Sequence, residues 1–313
     1  FMVPENGRYV GEWHVVDIGL DEEFIEEQDS NHFVIGDELV RSFIQPRKKH
    51  SHKGIYGRAM LISGSKGKMG ATVLAGQACM RSGPGLLTIH APECGYEILQ
   101  SSLPEAMVSL DKGESFLESV PETERYSTLG IGPGIDQKSE TVKMMTKLLP
   151  QLHYPIVIDA DAINILSANR DLIHKIPAHS IITPHPLEFE RLIGAEMNDF
   201  EKLEQGLKFS VENQVFLVLK GAHTAIFTPD GRTFFNNTGN PGMATGGSGD
   251  VLTGMITGLL SQDYSSLQAA IMGVYLHGLA GDIAKEKRGE HAMIASDIVN
   301  SISEAFLRVS PDS

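Results

Sequence analysis

The sequence predicts an α/β fold, a mainly parallel sheet with helices packed on both of its faces. Two observations carry this. Short β-rich runs alternate with helix-length segments over most of the 313 residues, and nearly every run ends in a turn marked by glycine or proline, the rhythm that builds a parallel sheet. A third observation is an exception to the pattern: "TAIFTPDGRTFFNN" sets Asp230-Gly231 between two β-rich runs, which reads as a hairpin and so as an antiparallel edge.

Residues 1–45 stand apart from this rhythm. The stretch "DIGLDEEFIEEQDSNHF" is acidic and turn-rich, so residues 1–45 read as a leader or connector and residues 46–313 as one domain. In that domain "RAMLISG" is a buried strand, "ATVLAGQACMRSG" a helix stopped by glycine, and "LLTIHAP" the next strand. Strands follow at "YSTLGIGPG", "PIVIDAD", "SIITPHP" and "VFLVLKG". Helices are expected at "SETVKMMTKLLP", near residues 162–169 and from Phe200. Three more begin near Asp250, Ser266 and Ser296, with no strand between them.

Composition excludes several classes. At 41% hydrophobic residues the chain can bury a large core, and its longest apolar runs, such as "VFLVL", fall well short of the roughly 20 residues of a membrane-spanning helix. The start lacks the charged and apolar blocks of a signal peptide, so a cytoplasmic protein is expected. Cys79 and Cys94 lie in no Cys-x-x-Cys pattern and read as reduced thiols. A net charge of −14 opposes binding to nucleic acid, and the basic cluster "RKKHSHKG" reads as a solvated surface.

In an open parallel sheet, ligands bind beyond the carboxyl ends of the strands. Here those ends carry "GSKGKMGA", "GPGI", "DADAIN", "PHPLE" and "GAHT", five loops that suggest one crevice. "GSKGKMG" lacks the ending of a phosphate loop; a tight turn and a ligand contact remain open for it. The strongest signal lies in residues 237–260, "NTGNPGMATGGSGDVLTGMITGLL", where Val251, Leu252, Met255, Ile256, Leu259 and Leu260 mark one face of a helix starting near Gly249. Unpaired N–H groups and the positive end of the helix dipole attract phosphate at such a start. Asp250 falls in the first turn, where an acid can serve as a simple dipole partner. Three nearby glycines, Gly246, Gly247 and Gly249, carry a conformational cost that close approach to a ligand explains better.

Taken together, "NPGMATGGSGDVLTG", "LVLKGAHT", "IDADAIN", "TPHPLE" and "HKGIYGR…LISGS" resemble the ADP/ATP-dependent NAD(P)H-hydrate dehydratase family from about His52 onward. The resemblance implies a ribokinase-like three-layer α/β/α fold. "VVDIGLDEEFIEE" is similar to the tail of the epimerase domain that precedes the dehydratase in bifunctional bacterial proteins. In one departure, Leu187 stands where the family usually has glycine.

The activity implied by the resemblance is repair of hydrated NADH and NADPH: the C6 hydroxyl is phosphorylated from ADP or ATP, and loss of phosphate restores the ring double bond. The implied roles are these. Asp250 is the catalytic base; Gly247, Ser248 and Gly249 form an anion hole; Lys220, Gly221, Ala222, His223 and Thr224, with Gly249, bind the nucleotide. Ala71, Gly134 and His185, with Asp250, contact the hydrated dinucleotide. Glu188 holds magnesium through water. A homo-oligomer and a fused or separate epimerase partner are also implied. For Asp159, Asp161 and Asn164, a place in the crevice and simple turn capping stay open; His90, His153 and His277 read as structural. Two further readings, a small-molecule kinase of the same fold and a nucleotide-sensing module, share the same glycine-rich helix start.

Overall fold

Side chains alternate across each strand, and that alternation divides the core into layers. A computed structural model describes residues 2–7, 9, 10, 16 and 18–310. Parts of the leader reading, including part of "VVDIGLDEEFIEE", lie outside the described residues. Among the described residues ten strands form one sheet: β1 (His32–Ile35), β2 (Arg58–Ile62), β3 (Leu86–Ala91), β4 (Met107–Leu110), β5 (Thr128–Ile131), β6 (Val157–Ile158), β7 (Ile181–Ile182), β8 (Phe216–Leu219), β9 (Ala225–Phe227) and β10 (Thr233–Asn236). Their order is β1-β10-β9-β8-β7-β6-β5-β2-β3-β4. Only β9 runs antiparallel to its neighbours.

Val157 and Val218 join one apolar layer, with the helices Ser248–Leu260, Ser266–Arg288 and Ala295–Val309. Ile156, Ile158 and Leu217 point the other way, into a layer built with the helices Ser139–Leu148, Ala160–Ala168, Pro186–Ile193 and Asp199–Asn213. A third cluster packs β2 and β3 against the helix Met69–Arg81. This is the expected three-layer arrangement.

Two strands escape the sequence reading. β4 continues the sheet beyond β3. β1 pairs parallel with β10 outside the Asp230-Gly231 hairpin, so the hairpin lies one strand in from the edge. β1 and the helix Asp37–Phe43 come from the stretch read as leader, yet Ile35 and Val40 are buried in the main core.

The helix Ser248–Leu260 is positioned by glycine. A Cβ at Gly254 would lie 2.1 Å from the Ala75 carbonyl oxygen, and one at Gly258 would lie 2.6 Å from that of Cys79. Backbone packs on backbone where this helix crosses Met69–Arg81. At the end of β3, buried His90 hydrogen-bonds Asp111 at 3.1 Å. The Asp111 carboxylate also accepts the N–H groups of Gly113, Glu118 and Ser119. His90 is structural, as read.

Candidate active site

The loops at the carboxyl ends of β2, β5, β6, β7 and β8 enclose two adjoining chambers. The smaller, about 360 Å³, is lined by Gly67, Lys68, Ala71, Gly134, Asp161 and Glu188, among others. The larger, about 940 Å³, is walled by Lys220, Gly221, Ala222, His223 and Thr224 on one side and by Gly247, Ser248 and Gly249 on another. Ala160 and Asp250 line both, so Asp250 stands on the partition.

The helix start that carries Asp250 is preorganised. Gly247 precedes the helix at φ +92°, a backbone conformation that demands glycine. A Cβ on Gly249 would lie 3.3 Å from Lys220 Nζ. Gly246 differs: open space surrounds its Cβ position, and it lines neither chamber. Among the described residues the backbone N–H groups of Gly249 and Asp250 have no acceptor, the unsatisfied donors a helix start provides.

Charges converge behind this turn. Lys220 Nζ lies 2.8 Å from Asp159 Oδ1 and 3.9 Å from Glu188 Oε2. The buried Asp159 carboxylate is held in turn by the Thr253 hydroxyl at 2.6 Å. Burial works against the Lys220 charge, but Asp159 and Glu188 outweigh it and raise its pKa. Asp250 has the opposite balance. Burial first, then the negative charge of Asp159, pushes its carboxyl up to about 7, with Lys220 opposing. A carboxyl so tuned can exchange a proton near neutral pH.

His185 caps the helix Pro186–Ile193. Its Nδ1 accepts the Glu188 N–H at 3.3 Å, while the Glu188 carboxylate accepts the His185 N–H at 2.9 Å. Burial holds the His185 ring below its ordinary pKa, with Glu188 opposing. Leu187 projects outward, 58% exposed, and this reciprocal cap forms around it. His185 lines the larger chamber and Glu188 the smaller. His185 is thus set apart from Ala71 and Gly134, with which it was grouped.

The remaining sequence-selected residues also have places. Asp159 lines the larger chamber, and Asp161 and Asn164 the smaller. Sequence reasoning overlooked Lys68, Thr238, Asn240 and Met243 as lining residues. It also treated His277 as structural alone. His277 lines the larger chamber, 3.4 Å from the Ser248 hydroxyl, and burial pushes its pKa down to about 4, so the ring is neutral at pH 7. Among the described residues no group of three or more His, Cys, Asp or Glu side chains converges as a metal cage, and no helix is long and apolar enough to cross a membrane.

Comparison with known proteins bears on the fold and the family. A ribokinase-like superfamily protein from Enterococcus faecalis, 27% identical, aligns with a TM-score of 0.79 over 90% of this chain and 98% of its own. The ADP/ATP-dependent NAD(P)H-hydrate dehydratase from Bacillus subtilis, co-crystallised with ATP/Mg2+, is 32% identical and aligns with a TM-score of 0.79 over 90% of this chain and 100% of its own. The bifunctional NAD(P)H-hydrate repair enzyme of Moorella thermoacetica is 39% identical over 96% of this chain and 58% of its own length. The chain therefore spans little more than half of that bifunctional relative. The family model described as NAD(P)H-hydrate dehydratase matches residues 59–304. With a ribokinase-like α/β fold and a match over most of its length, the chain belongs to the NAD(P)H-hydrate dehydratase family.

Proposed function

We propose that this chain dehydrates hydrated NADH and NADPH at the expense of ADP or ATP, regenerating the reduced cofactor. The observation that supports this most is the position of Asp250, on the partition between two chambers and beside two free backbone N–H groups. The larger chamber takes the nucleotide, its AMP portion along Lys220, Gly221, Ala222, His223 and Thr224. His223 Nδ1 is a buried atom with no hydrogen-bond partner among the described residues, and a ribose hydroxyl would satisfy it. The terminal phosphate meets Gly247, Ser248 and Gly249. The hydrated ring lies in the smaller chamber against Ala71 and Gly134, and His185 is placed where the two ligands meet.

Asp250 takes the proton of the C6 hydroxyl as that oxygen attacks the terminal phosphorus and the bond to the leaving nucleotide breaks. The N–H groups of Gly249 and Asp250 and the Lys220 ammonium stabilise the charge on the transferred group. The ring nitrogen lone pair then expels phosphate from C6, a proton leaves C5, and the C5=C6 double bond returns. The carboxylates near the site are engaged by Lys220, Thr253 and Lys68, which fits magnesium carried on nucleotide phosphates and reached from Glu188 through water, not a protein-built cage. When bound, magnesium neutralises charge on the donor phosphates.

Residues 46–313, with β1 and the helix Asp37–Phe43 packed onto them, carry this activity in our reading, in the cytoplasm and within a homo-oligomer, and the rest of residues 1–45 is a connector similar to the tail of an epimerase domain. Incubation with hydrated NADH and ADP or ATP, followed at the absorbance band of reduced nicotinamide, is expected to show nucleotide-dependent recovery. No recovery with either nucleotide overturns the proposal, and build-up of a stable phosphorylated product would favour the small-molecule kinase.

A further inference from the structure

The smaller chamber is acidic. Asp161, Glu188 and Asp250 line it, and Lys68 is the one cation among its lining residues. Resting on the function proposed above, the molecule that enters is itself an anion, because a diphosphate joins its two nucleosides. At about 360 Å³ the space accommodates a hydrated nicotinamide and its ribose, which leaves the diphosphate at the mouth.

Lys68 stands at that mouth, its side chain 45% exposed and its Nζ 3.0 Å from Asp161 Oδ2. Asp161 also accepts the Asp136 N–H at 3.0 Å, which fixes the carboxylate and hence the ammonium. The Lys68 backbone is held too: its N–H donates to the Ser65 carbonyl at 2.9 Å and its carbonyl accepts the Ala71 N–H at 3.1 Å. An ammonium has three donors, and Asp161 engages one. We propose that Lys68 is a specificity-determining residue that receives the diphosphate of the hydrated dinucleotide at the mouth of the smaller chamber.

Hydrated reduced nicotinamide riboside, which has the same ring and sugar but no phosphate, is the discriminating probe. Lys68→Ala is expected to raise KM for hydrated NADH about tenfold or more relative to KM for the riboside, the scale of one charge-assisted hydrogen bond. KM for ADP is expected to stay within about twofold, and Lys68→Arg is expected to restore most of the loss. Equal changes for the two hydrates, or none, overturn the proposal. Recovery of dinucleotide KM in the Lys68→Ala/Asp161→Asn double variant also overturns it, because Lys68 would then serve only to neutralise Asp161. If the unsubstituted protein turns over neither hydrate with ADP or ATP, the functional reading itself fails and this proposal falls with it.

Discussion

Asp250 is costly to the fold and, in the proposed reaction, useful to the chemistry for the same reason. Burial and the Asp159 charge push its carboxyl up to about 7 in the folded protein, well above the ordinary carboxylate range of the unfolded chain. Between the two the folded state keeps a proton that the unfolded chain has lost, so stability falls as pH rises through this window and stays reduced above it. Asp250→Asn is therefore expected to raise the thermal midpoint at pH 8 while lowering kcat by about 10²–10⁴-fold, with nucleotide affinity retained. In the proposed reaction the ionised form is the working base, so kcat rises with pH up to about 7 and then levels. Asp159→Asn removes a charge that holds the Asp250 pKa up, and the rising limb of the pH–rate profile is expected to move to lower pH. Asp250 was legible in the sequence because glycines crowd around it. Lys68 was not singled out, since its loop, "GSKGKMG", reads equally as a tight turn or a ligand contact. His277 hid in a 23-residue helix whose apolar spacing reads as core.

The crossing of the helices Ser248–Leu260 and Met69–Arg81 fixes the helix start that carries Asp250. Its closeness depends on Gly254 and Gly258 lying against the carbonyls of Ala75 and Cys79. Gly254→Val would force the helices apart, and overpacking of this kind costs about 1–3 kcal/mol or more. Urea unfolding is expected to show that loss, and nucleotide affinity to fall with it because the helix start moves. A variant with unchanged midpoint and affinity would contradict this account of the crossing. The major helices were readable from apolar periodicity and their glycine stops. β4 was missed because "MVSL" presents exposed Met107 and Leu110 at a sheet edge, without the buried run that marks an inner strand. β1 was missed because its four residues follow an acidic stretch that masks them.

The order of the ten-stranded sheet follows from pairings that no local pattern states. That β1 closes the edge beside β10 depends on residues 201 positions away, His32 facing Thr233. This makes the two ends of the leader unequal. Removal of residues 1–31 strips Met2 and Val3 from the core surface and breaks the Glu5–Asp199 hydrogen bonds, and is expected to lower the thermal midpoint modestly. Removal of residues 1–44 also strips Ile35 and Val40 from the core, and burial of two aliphatic side chains is worth about 3 kcal/mol or more, so a clear fall in the midpoint is expected. The parallel order and the crevice were foreseeable from strand–turn–helix rhythm; the division of that crevice into two chambers was not, because Ala160 and Asp250, which border both, lie far apart in sequence. That partition also has a meaning for inhibition. Two residues, Ala160 and Asp250, border both spaces, so a single compound with an anion for the Gly249 side and a ring for the Ala71 side, joined by a linker that spans Asp250, would pay the entropy of binding once and hold both sites at the same time.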